Sequence, residues 1–235
     1  MKLCSFLLAQ MVMFHTAQWS PDGMQLLMTT MGDDHQRSGF TFDLGRDELR
    51  RISAGRLQQL ERDWAPRHGA APVSEQRTAT GQAVVLRLRA ANSFRVLSRE
   101  RWAEQPSLSP DGRSIVYEAR ENAHDVLSSW IVVVDTSGAN ARRLHLGTDP
   151  SWSPDGQHVA FKTALNGVLH IATVPVRGGP ATTLAPGVHP AWSPDGRRIA
   201  YMVEGPARSD IWIMNRNGSA RRCLTCAVPT TRVRE

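Results

Sequence analysis

The stretch Pro190-Ala191-Trp192-Ser193-Pro194-Asp195-Gly196-Arg197-Arg198-Ile199-Ala200-Tyr201 decides the fold, because its centre recurs along the chain. Ser-Pro-Asp-Gly stands also at Ser20-Pro21-Asp22-Gly23, Ser109-Pro110-Asp111-Gly112 and Ser153-Pro154-Asp155-Gly156. Three copies follow a tryptophan (Trp19, Trp152, Trp192) and one follows Leu108. The last three copies are spaced by roughly 40 to 45 residues and the first gap is twice as wide, so a fifth unit is expected midway. Trp64-Ala65-Pro66-Arg67-His68-Gly69 stands there and reads as a decayed copy.

Each unit repeats one order of apolar segments. After the turn come Gln25 to Thr29, Ser114 to Glu118, His158 to Lys162 and Arg198 to Met202. In the decayed unit this place is Ala70 to Glu75, where Pro72 predicts a short or broken strand. A third segment follows, rich in β-branched and aromatic residues: Phe40 to Leu44, Val84 to Leu88, Ile131 to Asp135, Leu169 to Val174 and Ile211 to Asn215. Polar hairpins such as Thr136-Ser137-Gly138-Ala139-Asn140 then lead to the apolar anchors Ile52, Val96, Leu144, Leu184 and Leu224. Four strands in about 43 residues describe a propeller blade. The fold class is therefore all-β, a β-propeller of four-stranded antiparallel blades, five of them registered, starting near 19, 64, 108, 152 and 192.

The turn has a physical explanation. Proline pre-sets φ for the second turn position, aspartate tolerates the third, and glycine accepts the left-handed conformation that follows. The preceding tryptophan falls on an inner strand and packs between blades. Trp19, Trp64, Trp152, Trp192 and the Ser-Pro-Asp-Gly residues are read as architecture, and the aspartates as non-catalytic. Between the first two units, Asp47 to Trp64 contains good helix formers. Gly55 interrupts them and the repeat assigns Leu49 to Ser53 to an outer strand, so helix is expected only as a short turn in the inter-blade loop.

The net charge of +6 invites a nucleic-acid reading, but of the 28 basic residues only Lys2 and Lys162 are lysines. The arginines are scattered, many as pairs (Arg50-Arg51, Arg142-Arg143, Arg197-Arg198, Arg221-Arg222) at strand ends. A nucleic-acid footprint is a basic stripe with interleaved aromatics, whereas charged strand edges discourage aggregation. Nucleic acid is not an expected partner, and no transmembrane segment is expected. Residues 1–18 read either as a signal peptide, with Lys2 before the apolar run Leu3 to Phe14, or as a remnant strand at Met11 to Phe14. Residues 19–235 form the propeller. Cys223 and Cys226 make a single C-x-x-C without a second pair or histidines at ligand spacing, and two cysteines ending a terminal strand is the preferred reading.

The blade that begins at Pro190, continues through Asp210-Ile211-Trp212-Ile213-Met214-Asn215-Arg216-Asn217-Gly218-Ser219 and ends at Arg221-Arg222-Cys223-Leu224-Thr225 resembles a TolB-type blade. The resemblance runs from Trp19 onward and is weakest between Trp64 and Ser98. It implies a six-bladed propeller, a periplasmic location and a protein partner, an envelope lipoprotein in the Tol-Pal system. Similar repeats occur in prolyl-oligopeptidase-like peptidases, oligogalacturonate lyases and sensors. Two departures stand out: the α/β domain that precedes the TolB propeller is lacking, and only five blades register.

No Gly-x-Ser-x-Gly elbow serves a hydrolase, no His-x-x-x-His pair serves a metal, and Arg177-Gly178-Gly179-Pro180 is a hairpin turn rather than a phosphate loop. The expectation is a non-catalytic, protein-binding propeller with no cofactor, no metal and no catalytic residue. The alternative is a propeller enzyme such as an oligogalacturonate-lyase-like protein with a site dispersed around the channel, or the propeller part of a peptidase or sensor.

Overall fold

A computed structural model describes residues 14–31, 37–64, 73–79, 81–87, 93–122, 128–206 and 208–226. The strands fall into five groups in chain order. The first blade holds β1 (Phe14–Trp19), β2 (Gln25–Met31), β3 (Arg37–Asp43) and β4 (Glu48–Ile52), followed by helix α1 (Ala54–Asp63). The second holds β5 (Val73–Arg77), β6 (Gln82–Arg87) and β7 (Phe94–Val96). The third holds β8 (Trp102–Leu108), β9 (Ser114–Arg120), β10 (Trp130–Asp135) and β11 (Arg142–Leu146). The fourth holds β12 (Thr148–Trp152), β13 (His158–Leu165), β14 (Val168–Pro175) and β15 (Thr182–Pro186). The fifth holds β16 (Val188–Trp192), β17 (Arg198–Glu204), β18 (Ser209–Asn215) and β19 (Arg222–Cys223). Within each blade, neighbours in sequence pair antiparallel. Both readings of residues 1–18 rest largely on residues 1–13, which lie outside the described residues; β1 begins at Phe14.

The Ser-Pro-Asp-Gly turns share one hydrogen-bond pattern. The glycine N–H donates to the serine carbonyl in all four copies, each at 2.9 Å. Each glycine has φ between 67° and 71°, a left-handed value that a Cβ would strain. The serine hydroxyl donates to the aspartate Oδ1 (2.6 Å for Ser20 and Ser109, 2.5 Å for Ser153 and Ser193). That Oδ1 also accepts the N–H of Met24, Arg113, Gln157 or Arg197. The serine Oγ in turn accepts the first N–H of the next strand, from Gln25, Ser114, His158 or Arg198. The aspartate Oδ1 is thus a turn-former that satisfies a hydroxyl and a backbone donor.

Between blades the tryptophans carry the packing. Trp152 is buried among Val116, Ile131 and Val133 of the third blade and Val159 and Phe161 of its own, and its Nε1 donates to Ser107 O at 2.9 Å. Trp19 does the same across the two chain ends: it shares a core with Val188, Ala200, Met202, Ile211 and Ile213, and its Nε1 donates to Ala191 O at 2.9 Å. The first blade therefore docks on the fifth as the fourth docks on the third, and β1, β12 and β16, touching one another in series, are the inner strands. Trp192 is buried equally, yet its Nε1 has no hydrogen-bond partner.

The second unit departs from the expected blade. Where its inner strand should run, the chain forms α1, and Trp64 is the C-cap of that helix rather than a packed inner-strand tryptophan. Ser53 caps the N-terminus, its Oγ accepting Arg56 N–H, and Gly55 sits in the first turn, where its conformational cost does not interrupt a helix. Leu57 and Leu60 bury one face of α1 against Leu27. Gln18 Nε2 donates to Trp64 O at 2.8 Å, fixing the end of the helix to the inner strand of the first blade. The remaining three strands join the third blade through a parallel bridge between Gln82 and Trp102. A Cβ at Gly81 would lie 1.8 Å from Arg101 O, so glycine alone permits that approach.

Trp19→Phe, which removes the indole N–H together with part of the ring volume, is expected to cost more in urea unfolding than the about 1 kcal/mol of the hydrogen bond alone. Trp19→Ala is expected to cost about 3–5 kcal/mol.

The turn aspartates predict acid sensitivity. Asp22, Asp111 and Asp195 are held below the ordinary aspartate value first by the serine hydroxyl and then by backbone N–H groups. At Asp155 desolvation pushes upward most, but Ser153, Gln157 and Arg216 together outweigh it. A carboxyl whose folded value is depressed stabilises the fold fully above its unfolded value, here 3.8, and loses that contribution as pH falls below it. Melting temperature should therefore drop on acidification through about pH 4 to 2. The drop should be shallower when Ser20, Ser109, Ser153 and Ser193 are all alanine.

Candidate functional site

Three inner strands break their register at the same place. The ladder skips between Glu104 and Ser107, between Thr148 and Ser151, and between Val188 and Ala191. The first skipped residue has a left-handed backbone each time: Gln105 (φ 51°), Asp149 (φ 56°) and His189 (φ 54°). Each is followed by proline, and such bulges re-aim side chains at the cost of local strain. These bulges lie at the end of the blades opposite the Ser-Pro-Asp-Gly turns, since Thr148 pairs with Lys162 far along β13.

The three re-aimed side chains meet. Gln105 Nε2 donates to Asp149 Oδ1 at 3.2 Å. Asp149 Oδ2 lies 2.9 Å from Lys162 Nζ and 3.2 Å from His189 Nδ1. Asp149 is 9% exposed, whereas the His189 side chain is 44% exposed and open on its other edge. The line continues into the second blade, where Glu75 Oε1 accepts Gln105 N–H at 2.6 Å and its other oxygen accepts Gln82 Nε2. Beside it, Arg120 bridges Glu104 (2.6 Å) and buried Glu118 (3.0 Å), and Ser129 Oγ donates to Glu118 at 3.1 Å. Burial raises the Glu118 carboxyl above its ordinary value, against the lowering pull of Ser129 and Arg120.

An apolar rim stands at the same end. The β13–β14 hairpin closes with Leu165 opposite Val168 around Asn166-Gly167, both left-handed (φ 51° and 77°), as a two-residue hairpin turn requires. Leu165, Val168 and Leu169 are exposed at its tip, and Leu146 is exposed at the end of β11 on the neighbouring blade.

At these distances Lys162 and His189 can present N–H groups to a ligand while Asp149 keeps them in place. Among the described residues, the trio at metal-ligand spacing is Asp210, Cys223 and Cys226. There the two sulfurs are joined in a disulfide, and the Asp210 oxygens are engaged by Thr225 Oγ1 and Arg208 Nε.

No protein-family model matches the sequence, and no curated protein sequence matches it. Solved structures do match in shape. TolB from Acinetobacter baumannii superposes with a TM-score of 0.56 at 15% identity over 89% of this chain, which spans only 53% of that protein. The putative TolB from Agrobacterium tumefaciens gives 0.57 at 18% identity over 91% of this chain and 80% of its own. The chain has a TolB-like β-propeller fold. An oligogalacturonate lyase from Vibrio parahaemolyticus shares it as well, with a TM-score of 0.51 at 14% identity over 91% of this chain and 77% of the lyase. At such identities the likeness extends to the TolB-like propeller fold and to nothing finer.

The residues singled out by the repeat lie at one end of this TolB-like propeller and the polar cluster at the other. Trp19, Trp152 and Trp192 are inter-blade packing, the four Ser-Pro-Asp-Gly strings are turns, and Trp64 ends a helix. Gln105, Asp149 and His189 were not anticipated. A signal existed: each stands three residues before the Trp or Leu position, as Gln105-Pro106-Ser107-Leu108, Asp149-Pro150-Ser151-Trp152 and His189-Pro190-Ala191-Trp192.

Asp149→Asn leaves Lys162 and His189 facing a neutral amide. It is expected to cost about 3 kcal/mol in chemical denaturation, the scale for breaking a largely buried ion pair. His189→Ala, at the open end of the cluster, should cost clearly less.

Proposed function

We propose that this chain is a non-catalytic binding module whose protein partner docks on the end of the propeller opposite the Ser-Pro-Asp-Gly turns, in the cell envelope. One observation carries the reading: Leu146, Leu165, Val168 and Leu169 expose a group of large aliphatic side chains on that rim. Grouped apolar exposure bordered by polar residues marks an interaction surface more often than scattered apolar residues do. The Gln105–Asp149–His189–Lys162 cluster beside it supplies directed polar contacts. The propeller fold shared with TolB supports this choice, and the resemblance of the repeats supports the envelope setting.

A second reading, a channel enzyme, draws on the His189–Asp149 pair. A histidine with one nitrogen held by a carboxylate and the other open can serve as a general base, with Lys162 to stabilise negative charge. The propeller of oligogalacturonate lyase is compatible with it.

The readings separate cleanly. Leu165→Ser combined with Val168→Ser should abolish cross-linking to a protein from envelope extracts that the wild type captures. Met24→Ser, an exposed apolar residue at the opposite end, should not. No captured partner, together with turnover of a polyuronate or peptide that His189→Ala removes, would favour the enzyme.

A further inference from the structure

The two residues enclosed by the C-x-x-C bridge are both buried, an unusual burden for a short terminal loop. Leu224 (5% exposed) enters the core shared by the first and fifth blades, beside Trp19, Phe40 and Phe42 from one and Ile211 and Ile213 from the other. Thr225 (3% exposed) donates its hydroxyl to Asp210 Oδ1 at 2.8 Å and accepts Ile211 N–H at 3.0 Å. Strand β19 pairs over only two residues, so these contacts and Leu224 N–H to Ile211 O (2.8 Å) hold the end of the last blade. The bridging Cys223–Cys226 disulfide closes around them.

We propose that Cys223–Cys226 is a thiol–disulfide exchange site whose redox state sets the strength of the seam between the first and last blades. Cys226 is exposed and Cys223 half-buried, so an incoming thiolate reaches the Cys226 sulfur first. Attack forms a mixed disulfide at Cys226, breaks the Cys223–Cys226 bond and releases Cys223 as a thiolate. That leaving sulfur already accepts the Cys226 backbone N–H at 2.9 Å, a contact that stabilises its negative charge. The second thiol of a dithiol reductant then attacks the mixed disulfide and releases Cys226. The protein gains two electrons and two protons; the reductant leaves as its disulfide. With the loop opened, Leu224 is held by its packing and a single strand-edge hydrogen bond.

The test uses the full chain with dithiothreitol as the dithiol, read by mass spectrometry of the peptide containing Cys223 and Cys226, so that Cys4 does not contribute. Reduction under native conditions is expected to be complete and reversible. It should raise amide exchange at Ile211 and Leu224 and in β1 by about tenfold or more, the scale of freeing a short closed loop. The Cys223→Ser/Cys226→Ser variant should show the fast exchange from the start and no response to dithiothreitol. Leu224→Ala should loosen the same seam in the oxidised protein, which separates loss of the plug from loss of the bridge. A bridge that resists dithiothreitol until the protein unfolds overturns the proposal. So does a reduced protein whose exchange in β1 and at Leu224 is unchanged.

Discussion

A tryptophan wedged between two blades, with its indole N–H on the neighbour's backbone carbonyl, is what turns separate sheets into one object. Among the described residues the strand ladders run only within blades apart from the bridge at Gln82, so side-chain contacts between faces must hold the assembly together. Trp152 joins the fourth blade to the third, and Trp19 joins the first to the fifth with the same geometry. The Ser-Pro-Asp-Gly turn after each tryptophan fixes where the indole points. Its serine and aspartate absorb the backbone donors that a tight turn would otherwise leave unpaired.

The division of labour between the two ends of the blades follows from that constraint. The end carrying the turns repeats one architecture: the Oδ1 of every turn aspartate accepts a hydroxyl and an N–H, which favours the ionised carboxylate. The other end is free to vary from blade to blade. There the bulge residue is glutamine, then aspartate, then histidine, and its cross-strand neighbourhood holds Glu118, Lys162 or Met202. Equivalent backbones thus present different chemistry, as a binding surface demands.

What the sequence made legible was whatever recurs with the period. The starts of β2, β9, β13 and β17 coincide with the residues expected from the turn, because Ser-Pro-Asp-Gly closes locally and needs no distant partner. The outer strand expected at Leu49 to Ser53 forms as β4, but α1 is longer than the short turn expected after it, because burial of Leu57 and Leu60 on the first blade outweighs the cost of Gly55. The Gln105–Asp149–His189 cluster escaped because its members share a position but not a residue type. Their contact depends on three bulges that bring residues about 40 apart into one place.

The closure through Trp19 and Ala191 spans 172 positions of chain, and this fixes an order of events during synthesis. The first blade leaves the ribosome with Trp19, Leu26, Met28 and Phe40 shaped for a surface that is made much later. Until β16 to β18 arrive, that apolar face has no lasting cover, and contacts so distant in sequence form slowly. Of the two sides of this seam, the one made earlier therefore stays uncovered until the later one is complete.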